Sequence, residues 1–202
     1  AEETERLVQS GTCRLGDVAV MYRTNAQSRV VEDAFVAHGL PYKLVGATRF
    51  YERREIKDIL AYLRVIHNPH DSVSLARIIN VPARSIGSGT LTALGELAAR
   101  HGCSLYEAIS VMEQTPDVAA ITARGSRALL SFTHFMDDLL AMSTQVNPVE
   151  LLDALLERSG YAQYVRDGTE EGMERWENIL ELRNVAAEYA YLPVDSALGV
   201  FL

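Results

Sequence analysis

The sequence predicts a mixed, mainly α-helical chain: an α/β unit over residues 1–70, then an all-α region over residues 71–202. Three observations predict it. Before Pro69, short apolar runs of strand type alternate with patterns of helical period. After Pro69 the strand signal disappears. Cap residues and glycines then punctuate the chain at helix-length intervals.

Residues 2–10 look like the end of a helix closed by Gly11. Val18-Ala19-Val20-Met21-Tyr22 reads as a strand buried on both faces. Asn25 is suited to cap a helix running to His38, with Val30, Val31, Ala34 and Phe35 inward and Gly39 as its stop. Tyr42 to Val45 reads as a second strand. Ile56, Ile59, Leu60, Leu63 and Ile66 mark an amphipathic helix ending at Asn68-Pro69. Beyond it, Val73, Ala76 and Ile79 predict a short helix broken by Val81-Pro82. Leu91, Leu94, Leu97 and Ala98 predict another, stopped by Gly102. Ser104 and Glu107 form a capping box for a third. A long helix is predicted to open at Asp117 and run to about Met142, with a break at Gly125. Asn147 and Pro148 start a helix that Gly160 ends. The last predicted helix spans about Glu170 to Tyr191, with Met173, Trp176, Leu180 and Ala187 inward.

The 202 residues suffice for a real core, and 48% apolar with 23% charged content is ordinary for a globular chain. No apolar run is long enough to span a bilayer, so no membrane partner is expected. Cys13 and Cys103 each lack a neighbouring cysteine, which argues against a disulfide framework and a zinc cluster and fits a cytoplasmic setting. The net charge of −8 is unevenly placed. Residues 1–70 carry ten basic and nine acidic side chains, residues 71–130 five of each, and residues 131–202 four against thirteen. The first two thirds are therefore free to meet a polyanion, although the chain by itself is expected to bind one weakly. With no initiator Met and an end inside an apolar pattern, the chain is expected to be a piece of a longer protein.

Catalytic signatures are missing. There is no GxxxxGK[ST] phosphate loop, and neither Lys43 nor Lys57 follows such glycines. His67 and His70 flank Pro69 with only Asp71 nearby, a solvated helix end rather than a metal site. Two constellations rise above this background. In Tyr22-Arg23-Thr24-Asn25-Ala26-Gln27-Ser28-Arg29, a buried strand exits into a helix start. There Arg23, Arg29 and the amides of Asn25 and Gln27 are expected to converge on a phosphate chain or an unpaired base. The other reading is a capped turn with solvated arginines. In Asn80-Val81-Pro82-Ala83-Arg84-Ser85-Ile86-Gly87-Ser88-Gly89-Thr90, a short helix, a tight turn and another helix make a helix-hairpin-helix-like element. It is suited to present backbone N–H groups and the next helix's N-terminus to nucleic-acid phosphates, unless it is an ordinary connection.

The same residues carry a family resemblance. Residues 17–29 resemble the motif often called IVa of UvrD/PcrA/Rep-type superfamily 1 DNA helicases. Phe50 to Arg64 resembles the family's next block, and Ile78-Ile79-Asn80-Val81-Pro82 leading into Ser85-Ile86-Gly87 resembles the approach to its GIG hairpin. Ser159-Gly160-Tyr161 and Trp176-Glu177-Asn178-Ile179 match in order and rough spacing.

The resemblance implies a 3′-to-5′ ATP-dependent helicase with two RecA-like motor domains. This chain would hold part of one motor domain (the 2A portion, residues 1–70) and most of its helical 2B insertion (71–202). ATP and Mg²⁺ would serve the parent protein, with no cofactor or catalytic residue in this chain. Single-stranded and duplex DNA are the implied partners, with repair or replication proteins besides. Arg23 and Asn25 would touch the single strand. Ser85, Ile86, Gly87, Ser88, Gly89 and Thr90, which would open its helix, would hold the duplex, with Arg84 adding a phosphate contact. Glu55-Ile56-Lys57-Asp58 would form a structural helix beneath the track. One departure stands out: the family usually has glycine at Ser85, so a left-handed backbone there is expected to be harder to reach. The second reading is a protein-interaction or autoinhibitory helical module of a repair protein, docking through the acidic face of residues 131–202.

Overall fold

Hydrogen bonds from side chains to backbone N–H groups fix five of the helix starts. A computed structural model describes residues 1–46, 48–115 and 120–202. Among the described residues the helices are α1 (Glu2–Gln9), α2 (Ser28–Ala37), α3 (Arg54–His67), α4 (Ser72–Ile78), α5 (Ser88–His101), α6 (Leu105–Gln114), α7 (Ala123–Ser143), α8 (Pro148–Arg158), α9 (Tyr161–Val165), α10 (Glu170–Ala187) and α11 (Val194–Phe201). The Ser104–Glu107 capping box starts α6, and Asn147 with Pro148 starts α8, as their sequences predict. Asp71, Thr122 and Thr169 cap α4, α7 and α10 in the same way. Asp117 lies outside the described residues. Gly125 does not break α7; it sits in the first turn and donates its N–H to Thr122 Oγ1.

Mainly helical architecture is as expected, but the two predicted strands are not formed. Among the described residues there is no strand at all. Residues 18–22 and 42–45 are irregular segments, and a β-ladder needs a second strand alongside. Their apolar side chains stand uncovered instead: Val20 is 48%, Met21 93% and Val45 86% exposed.

Three helix faces also differ from the apolar stripes. On α2, Ser28, Glu32 and Phe35 are buried while Val30 is exposed. On α4, Leu75 and Ile78 are buried while Val73 is exposed. On α10, Asn178, Ile179, Leu182, Val185 and Ala186 face inward, whereas Met173, Leu180 and Ala187 are exposed. In α2 and α10 a buried polar residue, Glu32 or Asn178, sets the inward face, and apolar periodicity gives no weight to such a residue.

One hydrophobic core runs from Phe50 to Leu198, with α3 at its centre against α4, α7, α10 and α11. It therefore crosses residue 70. Tyr62, Phe132 and Tyr161 are among its largest buried side chains. Burial pushes the Tyr62 hydroxyl from its ordinary value of 10.0 up to about 12. Burial and the neighbouring Asp58 and Asp137 carboxylates drive Tyr161 and Tyr106 in the same direction. The folded chain thus holds these protons more tightly than the unfolded chain. The stability Tyr62 contributes is complete below pH 10 and is lost as pH rises through 12, and the other two add to the loss in the same direction. A tenfold difference in acidity is worth about 1.4 kcal/mol, so Tyr62 alone removes on the order of 2–3 kcal/mol across that window. Urea midpoints at pH 8 and pH 11 should show the fall, and a midpoint unchanged between the two would refute it.

Candidate nucleic-acid interface

The turn at the first constellation is built by its own side chains. Thr24 precedes a 3-10 turn, Asn25–Gln27, that leads directly into α2. The Gln27 carboxamide oxygen accepts from the N–H of Arg23 at 2.9 Å and of Thr24 at 3.2 Å, reaching back across the turn. Thr24, not Asn25, is therefore the cap residue, and Gln27 is a builder of the turn. Arg23 is exposed, and among the described residues its guanidinium has no hydrogen bond or ion pair. Asn25 is half-buried and donates from Nδ2 to Glu174 Oε2 on α10 at 3.1 Å. Arg29 turns the other way. It is 12% exposed and bonds Glu181 at 2.7 Å and Asp33 at 2.9 Å, with Glu188 at 3.7 Å. Burial works to lower its pKa, but the Glu181 and Asp33 carboxylates together outweigh it and hold the guanidinium charge more firmly. The expected fourfold convergence thus reduces to Arg23 and Asn25.

Beneath the turn lies a buried polar chain. Arg53, 7% exposed, donates to Ser28 Oγ at 2.7 Å, to Asn178 Oδ1 at 2.6 Å and to the Thr48 carbonyl at 3.2 Å. Asn178 donates onward to Glu55 Oε1 at 2.7 Å. Ser28 donates to Glu32 Oε1 at 2.9 Å. Burial pulls the Arg53 pKa below the usual arginine value, against the upward pull of Glu32 and Glu55. Three family-like blocks that lie far apart in sequence, around residues 17–29, 50–64 and 176–179, meet here.

The hairpin is anchored from inside. Asn80 Oδ1 accepts from the N–H of Arg84 at 2.7 Å and of Ile86 at 3.2 Å, closing the loop after the cis Val81-Pro82 bond. Arg84 points inward, a correction to its expected phosphate contact. Its guanidinium donates to the carbonyls of Ser159 at 2.9 Å, Pro82 at 3.1 Å and Ile78 at 3.3 Å. It lies 5.9, 5.6 and 5.1 Å from the ring centres of Tyr62, Phe132 and Phe135. Ile86 is buried at 3% exposure and pins the loop to the core. Ser85, Gly87, Ser88 and Gly89 are exposed. Ser85 reaches the left-handed region with φ of +64° despite its side chain, at a cost of roughly 1 kcal/mol. Ser88, not Thr90, opens α5, behind an N-cap Gly87 that supplies no side-chain bond. Thr90 is half-buried and faces α7: a Cβ at Gly125 would stand 2.9 Å from Thr90 Oγ1.

The two surfaces are distinct. The first turn rests on α10, while the hairpin rests on α7 and on Ser159 at the end of α8. Between them, in the α3 framework, Asp58 is 2% exposed. It accepts from Arg77 at 2.8 Å and from the Tyr161 hydroxyl at 2.8 Å. The α3 helix is therefore structural, as expected, but through buried charges as well as apolar contacts.

Sequence reasoning missed Arg124. It is exposed on the first turn of α7 and donates to Ser85 Oγ at 2.9 Å, which places a cation beside the hairpin. No motif marks it; only folding brings residue 124 to residue 85. Arg127 is exposed one turn further along. An arginine at the hairpin, exposed backbone at Gly87 to Gly89 and an uncapped helix start suit phosphate oxygens and carry no base-reading chemistry. The residues do not fit ATP or Mg²⁺. The sequence has no phosphate loop, Lys43 and Lys57 are isolated and exposed, and the described residues form no group of three side chains able to hold a metal ion. No described helix is long and apolar enough to cross a membrane.

The family model for the UvrD-like helicase C-terminal domain matches residues 1–120. Over 203 aligned residues the chain is 38% identical to the ATP-dependent DNA helicase PcrA of Bacillus subtilis (strain 168), covering 100% of this chain and 27% of that protein. Identity to the ATP-dependent DNA helicase UvrD1 of Mycobacterium tuberculosis (strain ATCC 25618 / H37Rv) is 39% over 191 residues, 94% of this chain and 24% of that protein. The PcrA helicase of Leuconostoc citreum is 39% identical over 182 residues, 89% of this chain and 24% of its own length. The chain spans about a quarter of the length of these relatives.

Proposed function

The chain belongs to the UvrD-like helicase C-terminal domain family, and from that premise we propose that it forms part of an ATP-dependent 3′-to-5′ DNA helicase, supplying grips on DNA. ATP and Mg²⁺ bind, in this reading, in other parts of the protein. Residues 1–70 act as the RecA-like motor portion and residues 71–202 as the helical insertion, fused through a shared core. The observation that carries the reading is the free guanidinium of Arg23 at the tip of a turn braced from below. Arg23 takes a phosphate of the single strand, and Asn25 takes backbone or a base edge once Glu174 releases it. Ser85, Gly87, Ser88 and Gly89, with Arg124 beside them, hold duplex phosphates while Ile86 and Arg84 anchor the hairpin from within. The acidic-docking reading gains little, because Glu174 and Glu181 on α10 and Glu188 just past its end are already turned onto the chain's own Asn25 and Arg29.

Salt-dependent binding of forked, single-stranded and duplex DNA by this chain tests the reading. Each lost phosphate contact should lower the slope of log affinity against log salt by about 0.7 to 0.9. Arg23→Ala is expected to weaken single-strand binding roughly 3- to 10-fold, and Arg124→Ala to weaken duplex binding to a similar extent while sparing the single strand. If both variants bind every substrate like the parent at low salt, the interface lies elsewhere.

A further inference from the structure

We infer that Asn178, acting through Arg53, is the positioning residue of the DNA-facing turn: it holds Arg23 and Asn25 in place without touching DNA itself. The inference rests on the proposed function only for what the turn does. What holds the turn is read from the bonds alone.

Arg53 is the hub. Its three bonds reach three separate segments: Thr48 in the preceding loop, Ser28 at the start of α2 and Asn178 on α10. Its guanidinium lies 5.4 Å from the Phe50 ring centre, which fixes the plane of the fork. Ser28 follows the 3-10 turn immediately, so the Arg53–Ser28 bond sets where that turn stands. Glu32, one turn further along α2, accepts from Ser28, from the Phe50 N–H at 3.3 Å and from Tyr42 at 3.2 Å.

Asn178 gives the hub its direction. At 4% exposure its carboxamide stands between a buried cation and a buried anion. The oxygen faces Arg53 and the nitrogen faces Glu55, so each end meets the charge it can satisfy. Leucine would satisfy neither, and aspartate would turn a carboxylate toward Glu55. No buried side-chain polar atom is left unpaired in the network. Networks of this kind contribute less to net stability than to selecting one arrangement. On the same helix, one turn earlier, Glu174 bonds Asn25. One helix thus holds the turn from beneath and at its rim, so a displacement of α10 moves the turn with it.

The test compares Asn178→Leu, Ser28→Ala and Ile179→Ala in the 202-residue chain. Ile179 is fully buried beside Asn178 but makes none of these bonds, so its variant loses stability without touching the network. Ser28→Ala removes only the link to α2 and guards against a failure of Asn178→Leu to fold. Amide hydrogen exchange under native conditions is expected to quicken about tenfold or more at residues 24–32 in the Asn178 and Ser28 variants, and not selectively in Ile179→Ala. Oligothymidine affinity is expected to fall as far as in Arg23→Ala, with the Arg23/Asn178 double variant no weaker than the poorer single one. Exchange at residues 24–32 that matches the Ile179 variant overturns the inference. Quickened exchange with unchanged affinity, in Arg23→Ala as well, upholds the positioning role and removes the DNA reading of the turn.

Discussion

Replacing Arg84 by alanine is expected to destabilise the whole chain by about 2–4 kcal/mol, because it strands the carbonyl groups of Pro82 and Ser159 and empties a cage of three rings. Duplex binding should disappear along with the hairpin's fixed shape. Lysine keeps the charge but cannot fork to three acceptors, so Arg84→Lys should rescue little of either. The contrast with a phosphate-contacting arginine is sharp. Such a residue, when removed, leaves the urea midpoint where it was and lowers the salt slope of DNA binding by about one phosphate contact. Paired measurement of urea midpoint and salt slope therefore distinguishes anchor from contact. A midpoint equal to that of the parent would refute the anchoring role.

Asp58→Ala should destabilise by about 2–3 kcal/mol, chiefly because it leaves the buried Tyr161 hydroxyl without an acceptor, while the Arg77 guanidinium, 38% exposed, turns to water. Asp58 joins α3 to α4 and to α9, the elements that flank the hairpin's root, so loss should appear in every probe of the fold at once. Asp58→Asn keeps an acceptor for Tyr161 and should recover part of the loss. Urea unfolding followed by far-ultraviolet circular dichroism and by tryptophan emission from Trp176 provides the check. A midpoint for Asp58→Ala within about 1 kcal/mol of the parent would mean that the buried pair contributes little here.

Local chemistry was the readable part of this fold. The cap at Asn147-Pro148 and the box at Ser104–Glu107 involve residues a few positions apart, so sequence spacing alone carries them into the structure. Val18 to Tyr22 could not be settled that way, since strand formation depends on a neighbour that spacing does not supply. The α10 face was misjudged for a different reason. Asn178 counts as polar and outward in any apolar stripe, yet it is drawn in by Arg53 and Glu55 from 125 and 123 residues away. Arg84 carries the same lesson. Its aromatic cage comes from residues 62, 132 and 135, and nothing near position 84 announces it. At the first turn the polar character was legible but the side-chain directions were not: Arg23 stays outward, Asn25 bonds Glu174 and Arg29 turns in to Glu181, both partners lying about 150 residues away.

The close fit of Gly125 against Thr90 has a mechanical consequence. With no side chain at position 125 the first turns of α5 and α7 lie so close that any larger residue there must push them apart and shift the hairpin. At about 1.5 Å per residue, the 21 residues of α7 make a rod roughly 30 Å long. That rod carries Arg124, the hairpin's neighbour, at one end and Ser143 at the other.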